Sequence, residues 1–258
     1  MGKVITIANH KGGVGKTTTT ASLGVSLTMK GKRVLLVDLD AQCNLTSLFT
    51  PQGAKYERTI FEALVGNSVL PIIHITDNTK LDLVPSSLDL VGIEKALTLL
   101  VGDNVKELTL LRTLLEPIRG DYDYILIDCP PSLGILTKNA LIASNGVVIT
   151  LTAESLPTMG MQSLMDGIDH VRRGLNKELR LYGILLTRYN RRKLNRLVEE
   201  SLRENYGDYV FKTRIRENVD LMEAPLYRKN IFTYSPDSLG AEDYTALTDE
   251  ILNIDKTL

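Results

Sequence analysis

The stretch Val4-Ile5-Thr6-Ile7-Ala8 runs into Asn9-His10-Lys11-Gly12-Gly13-Val14-Gly15-Lys16-Thr17-Thr18, and a helical pattern follows at once from Thr17 to Lys30. An apolar strand, a glycine-rich loop and a helix in that order leave few folds open. Glycines 12, 13 and 15 admit backbone conformations that other residues resist, so successive N–H groups can converge on an anion at the positive end of the helix. Lys16 adds a full charge at the spacing that reaches β- and γ-phosphates, and the Thr17 hydroxyl falls where Mg²⁺ is held. A dinucleotide-binding loop would need G-x-G-x-x-G, which is absent, and has no use for a Lys-Thr pair. The loop therefore reads as a cradle for a nucleoside triphosphate, with Gly13, Val14, Gly15, Lys16, Thr17 and Thr18 around the phosphates.

Short apolar runs rich in β-branched residues recur at 4–8, 34–37, 81–84, 124–127, 147–151 and 184–186, and helical patterns lie between them at 17–30, 87–100, 106–118, 159–175 and 194–206. This alternation predicts right-handed crossovers and a mainly parallel sheet with its ligand crevice at the carboxyl ends of the strands. The chain has no Trp and only 4 Phe, so Val, Ile, Leu and Ala must fill the core, as suits a sheet buried under helices. No linker or repeat divides the 258 residues. The expectation is an α/β single domain over 1–258 with a twisted, mainly parallel sheet flanked by helices.

Two further strands end in acids. Val34-Leu35-Leu36-Val37 runs into Asp38-Leu39-Asp40-Ala41-Gln42, and Tyr124-Ile125-Leu126-Ile127 into Asp128-Cys129-Pro130-Pro131. Carboxylates at buried strand ends can hold metal-bound waters or orient an attacking water, and Asp40 is the choice for the attacking water because it lies further into the loop. The competing reading has Asp40 merely capping the next turn. Thr17, Asp40 and Asp128 form the expected metal set, and Asp38 is structural or outer. Pro130 and Pro131 lack amide donors and force a stiff loop, so with Asp38 and Gln42 they are the candidates for a γ-phosphate-sensing switch. Cys129 reads as a small buried hydrophobe.

Only Cys43 and Cys129 occur, too few for a disulfide framework or a four-thiolate metal site, and the first apolar run is too short for a signal or a membrane span. A cytoplasmic protein is expected. The net charge of −1 conceals a segregation, because residues 172–229 hold 15 Lys and Arg against 8 Asp and Glu. That surplus suits a polyanion footprint, the ordinary alternative being a solvated helical face.

The run K-G-G-V-G-K-T-T places Lys11 five residues before Lys16, with His10 where the common phosphate-loop pattern has glycine, and resembles the deviant Walker A motif. With the Asp128 strand as Walker B and the tail Asn218-Val219-Asp220-Leu221-Met222-Glu223-Ala224-Pro225 followed by Tyr234-Ser235-Pro236-Asp237-Ser238-Leu239-Gly240-Ala241-Glu242-Asp243-Tyr244, the chain resembles ParA/Soj-type partitioning ATPases, the ParA/MinD group, over nearly its whole length. The resemblance implies an ATP- and Mg²⁺-dependent ATPase of weak intrinsic activity that forms ATP-bound homodimers and binds double-stranded DNA nonspecifically. Stimulation by a ParB-like cargo adaptor and association with the nucleoid are implied as well. It assigns Lys11 to the facing subunit's triphosphate, Gly12 to the dimer face, Gly13 to Thr18 to phosphate and Mg²⁺, Asp40 to hydrolysis and Asp128 to the metal.

A lysine contributed in trans would neutralise charge on the transferred phosphoryl group and tie hydrolysis to dimerisation. The family's I-P-R-N segment beside the adenine reads Ile215-Arg216-Glu217-Asn218 here, so its DNA-contacting arginine is a glutamate. Arg216 and Asn218 remain as base-pocket choices, while Arg191, Arg192, Lys193, Arg214 and Arg216 are the expected DNA contacts, Arg192 matching the family position best. Phosphate contacts tolerate such relocation because they need charge within reach rather than base-reading geometry. The competing reading is a MinD-like or other protein-positioning ATPase that does not use DNA. The short acidic stretch Asp249-Glu250-Ile251-Leu252-Asn253-Ile254-Asp255-Lys256-Thr257-Leu258 lacks the basic amphipathic helix expected of a membrane anchor.

Overall fold

The computed structural model describes residues 1–66, 69–100, 104–153 and 159–257. Strands β1 (Lys3–Ala8), β2 (Val34–Asp38), β3 (Ile73–His74), β4 (Leu81–Val84), β5 (Tyr124–Asp128), β6 (Gly146–Thr152) and β7 (Arg180–Thr187) form one sheet in the order β3-β4-β2-β5-β1-β6-β7. Every neighbouring pair is parallel except β3 with β4. The six strands expected from sequence are all present. The two-residue edge strand β3 is too short to show a period.

The helices are α1 (Lys16–Met29), α2 (Asn44–Phe49), α3 (Ile60–Gly66), α4 (Ile93–Leu100), α5 (Asn104–Leu115), α6 (Ile135–Ala143), α7 (Met159–Gly174), α8 (Lys193–Tyr206), α9 (Val219–Glu223), α10 (Ile231–Tyr234) and α11 (Leu239–Thr257). One face of the sheet packs Ile5, Leu36, Leu126 and Val148 against α1 and α11 through Leu23, Leu27, Tyr244, Leu247 and Ile251. The other packs Val4, Leu35, Ile125 and Ile149 against α3 to α8, through residues such as Leu64, Leu111, Leu141, Leu164 and Val198. The central strands are buried on both faces, as their unbroken apolar runs required. At Gly24 the contact between α1 and the sheet is so close that a Cβ would lie 2.7 Å from Leu36 Cδ2.

Two helical readings are shortened. The pattern at 87–100 is a 3₁₀ turn, Leu88–Gly92, followed by α4, with Leu88 and Val91 exposed rather than packed. The pattern at 106–118 ends as α-helix at Leu115 because Pro117 removes an amide and crowds the turn before it; a 3₁₀ segment, Glu116–Asp121, continues.

The topology places the site. β1 lies between β5 and β6, and β2 lies beyond β5. Register sets Ile7 opposite Asp128 and Asp38 opposite Asp128, so both acids stand at the level where the glycine loop leaves β1.

Candidate functional site

The loop from Asn9 to Gly15 turns on two left-handed glycines, Gly13 at φ 72° and Gly15 at φ 85°, where a side chain would be strained. It is tied down on both sides. Asn9 Oδ1 accepts from Lys11 N at 3.0 Å while Asn9 Nδ2 donates to Thr150 O at 2.6 Å, and Thr187 Oγ1 donates to Val14 O at 3.1 Å. α1 then starts at Lys16 with Gly15 as its N-cap, no side-chain cap and no acid in its first turn. Its leading amides and the positive end of its dipole are therefore left for an anion.

Lys16 is 7% exposed and donates from Nζ to Lys11 O at 3.0 Å. Burial pushes its ammonium below the ordinary lysine range, opposed by the nearby Asp128 and Asp40. Thr17 Oγ1 donates to Asp128 Oδ2 at 2.6 Å, and the other carboxylate oxygen of Asp128 is buried without a hydrogen-bond partner. Burial, reinforced by Asp38, raises the Asp128 pKa well above the usual carboxylate range.

Asp38 is fully buried, which raises its pKa, and it accepts from Thr46 N at 2.8 Å, Thr46 Oγ1 at 2.7 Å and Asp40 N at 3.1 Å. Those donors oppose the shift and fix the loop to α2. Asp40 is half-buried; its Oδ1 accepts from Gln42 N at 3.0 Å and its carbonyl accepts from Ser86 Oγ at 2.7 Å. Turn capping by Asp40 and its place at the cavity occur together.

A cavity of about 410 Å³ opens over the loop. It brings together Gly12, Gly13, Gly15, Lys16, Thr17, Thr18, Asp40, Gln42, Pro131, Arg216 and Asn218 from the expected set. Lys11 is exposed and does not line the cavity, nor do Val14, Asp38, Asp128 and Pro130. The lining also includes Thr187, which the sequence reading did not select, Ile215 from the segment that the resemblance sets beside the adenine, and Leu221 and Tyr244 from the C-terminal signature. Of these, Tyr244 carried a legible signal, because Ala241, Tyr244, Leu247 and Ile251 recur at helical spacing.

The cations expected to meet DNA divide into two groups. Arg191, Arg192 and Lys193 are exposed at the turn into α8 and enter no ion pair among the described residues. Arg214 is bonded to Glu199 and lies 5.0 Å over the Tyr189 ring, and Arg216 is held by Asp243 at 2.6 Å and Glu242 at 2.7 Å.

An uncapped helix start, a buried lysine and a threonine–carboxylate pair at the carboxyl end of a parallel sheet define a phosphate-loop α/β protein. Residues 2–181 match the family described as an AAA domain. The chain is 43% identical over 253 residues to the sporulation initiation inhibitor protein Soj of Bacillus subtilis, covering 97% of this chain and 98% of that one. It is 44% identical over 250 residues to the chromosome-partitioning ATPase Soj of Thermus thermophilus, covering 96% and 94%. Among solved structures, the cobyrinic acid a,c-diamide synthase of Mycobacterium smegmatis with bound ADP and magnesium matches with a TM-score of 0.85 at 33% identity, over 99% of this chain and 96% of that one. The chain belongs to the ParA/Soj family of partitioning ATPases.

Proposed function

We propose that this chain, acting as one domain, binds ATP with Mg²⁺ in the cavity over the glycine loop and hydrolyses it as a face-to-face homodimer on nonspecific double-stranded DNA, stimulated by a ParB-like cargo adaptor. The observation that carries the reading is the Thr17–Asp128 hydrogen bond next to buried Lys16 at an uncapped helix start. The M. smegmatis structure holds ADP and magnesium, and the T. thermophilus relative is named an ATPase.

The α1 amides and Lys16 would hold the phosphates, and Asn218, Arg216 and Tyr244 would surround the base. The orphaned Asp128 oxygen and the Thr17 hydroxyl beside it fit Mg²⁺, Thr17 as a direct ligand and Asp128 through water. The metal neutralises charge on the β- and γ-phosphates when bound. Asp40, at the cavity wall on a loop fixed by Asp38 and Ser86, orients the attacking water. Lys11, exposed on the loop, would reach the facing subunit's triphosphate. Asp40→Ala should retain ATP-bound dimers, seen by sedimentation with and without ATP, while turnover falls about 10²–10⁴-fold, the usual scale of general acid–base catalysis. Unchanged phosphate release would remove Asp40 from that role.

On DNA, the exposed turn Arg191-Arg192-Lys193 supplies the charge, so a dimer would present two copies of it to one duplex and gain by their joint attachment. Protein on this duplex would concentrate at the nucleoid. Replacing all three with Glu should weaken ATP-dependent DNA co-sedimentation at least tenfold and flatten its dependence on salt. DNA binding that ignores the triple replacement would reduce the turn to a solvated face. Because Arg214 and Arg216 are occupied by carboxylates, a second reading stands beside the first, a nucleotide-switched positioning ATPase without DNA. Wild-type protein that never sediments with DNA under ATP at low salt selects that second reading.

A further inference from the structure

The wall at the base end of the cavity is one short segment, Ile215 to Asn218, and its backbone is held from two sides. Tyr189 N donates to Ile215 O at 3.0 Å and Glu217 N to Tyr189 O at 2.9 Å, so the extension of β7 takes one edge of the segment. Arg216 N points the other way and donates to Asp243 Oδ2 at 2.8 Å. The same carboxylate receives Arg216 Nε and Nη2 on Oδ1 at 2.9 and 2.6 Å, while Glu242 takes a further bond from Nη2 at 2.7 Å. Asp243 is 6% exposed while the Arg216 side chain is 39% exposed, so the carboxylate end of the fork is buried and the guanidinium end meets solvent; the planar fork fixes the direction of the pair.

The anchor is itself fixed to the phosphate end. Tyr244, the next residue, is 1% exposed, lines the cavity and shares a 3.1 Å hydrogen bond with Thr19 on α1. Four residues before Tyr244, Gly240 lies so close to Leu221, another cavity residue, that a Cβ there would be 2.7 Å from Leu221 Cγ. The first turns of α11 therefore hold the α1 helix, the α9 wall and the 215–218 wall in one frame.

We infer that the Arg216–Asp243 fork is a positioning device for the nucleobase: Asp243 seats Arg216, and Arg216 sets the distance between the 215–218 wall and Tyr244, across which the base is gripped. Arg216 is thereby withheld from DNA, and Asp243 becomes a determinant of nucleotide affinity although it touches no phosphate. This rests on ATP being the ligand of the cavity, as proposed above.

A ligand with a base and one without separate the two claims. Binding of Mg²⁺–ATP, Mg²⁺–GTP and Mg²⁺–tripolyphosphate is measured by calorimetry on the full chain. Wild-type protein should bind ATP more tightly than tripolyphosphate. Arg216→Ala and Asp243→Ala should each lower ATP affinity about tenfold and narrow the preference over GTP, while tripolyphosphate affinity stays within about twofold. The double variant should be no weaker than either single one, as expected of two groups acting as a unit. Arg216→Lys keeps the charge but loses the fork and should recover only part of the loss. Should Asp243→Ala fail to fold, Asp243→Asn keeps the volume and one acceptor and should show the same split at smaller size. Parallel losses for ATP and tripolyphosphate would overturn the inference in favour of general loosening, and unchanged ATP affinity would overturn it outright. Wild-type protein that binds neither ATP nor tripolyphosphate would instead defeat the proposed function itself.

Discussion

Lys16→Ala should cost the protein its triphosphate, with ATP affinity falling about 10- to 150-fold, the range of a lost hydrogen bond to a charged group of roughly 1.5–3 kcal/mol. Lys16 is the lining cation that sits nearly sealed from water at the glycine loop, where the proposed function places the phosphates. Burial already lowers its pKa, with Asp128 and Asp40 opposing the shift, so its surroundings disfavour the ammonium in the free protein. A triphosphate adds negative charge beside it and favours the protonated form. A lysine whose pKa is lowered in the free protein and restored in the complex takes up protons on binding between those two values, so affinity rises as pH falls from the restored pKa to the lowered one. Calorimetry in buffers of differing ionisation enthalpy, carried through the alkaline range between those two values, should register that uptake in wild-type protein and lose it in Lys16→Ala. Retention of wild-type affinity in the variant would take Lys16 out of the cradle and leave the α1 amides as the phosphate site.

The elements legible in the sequence are those whose physics is local. Gly13 and Gly15 announce left-handed backbone within a seven-residue loop, and Asp38 and Asp128 announce strand ends because nothing in packing explains an acid after four buried apolar residues. What escaped is assembled across distance. Thr187 steadies Val14 from 173 residues away, and Tyr244 meets Thr19 from 225 away. Neither pairing leaves a local pattern.

The reading of Arg216 shows the same limit. As a letter in a basic stretch it looked available for a polyanion, yet residues 242 and 243 neutralise it, and only the fold brings them together. Charge counted along a sequence measures supply, and the ion pairs decide what remains on offer. Here Arg191, Arg192 and Lys193 remain exposed and outside any ion pair among the described residues.

Asp128→Asn should separate stability from function in opposite directions. Asp128 and Asp38 are register partners on adjacent strands, both fully buried, and Asp38 has three donors while Asp128 has one and an orphaned oxygen. Burial and then repulsion from Asp38 raise the Asp128 pKa, outweighing the Thr17 bond and the Lys16 charge that act the other way. A carboxyl whose folded pKa exceeds its unfolded value binds its proton more tightly in the fold. Stability therefore falls as pH rises from the unfolded value, about 3.9, through the folded one, and at neutral pH this carboxyl is a standing cost to the nucleotide-free protein. Asparagine can keep the acceptor for Thr17 and removes the charge, so the nucleotide-free variant should melt higher, by about 2–4 °C for each kcal/mol relieved. The gap between variant and wild type should close as pH is lowered to the unfolded value. Thermal melts with Mg²⁺–ATP should reverse the order, because the same carboxylate is the group that would meet the metal through water, and asparagine weakens that attachment. A variant that melts lower than wild type without nucleotide would show that the Lys16 attraction exceeds the burial and repulsion terms, and would dismiss Asp128 as a carboxylate held at the expense of stability for a cation.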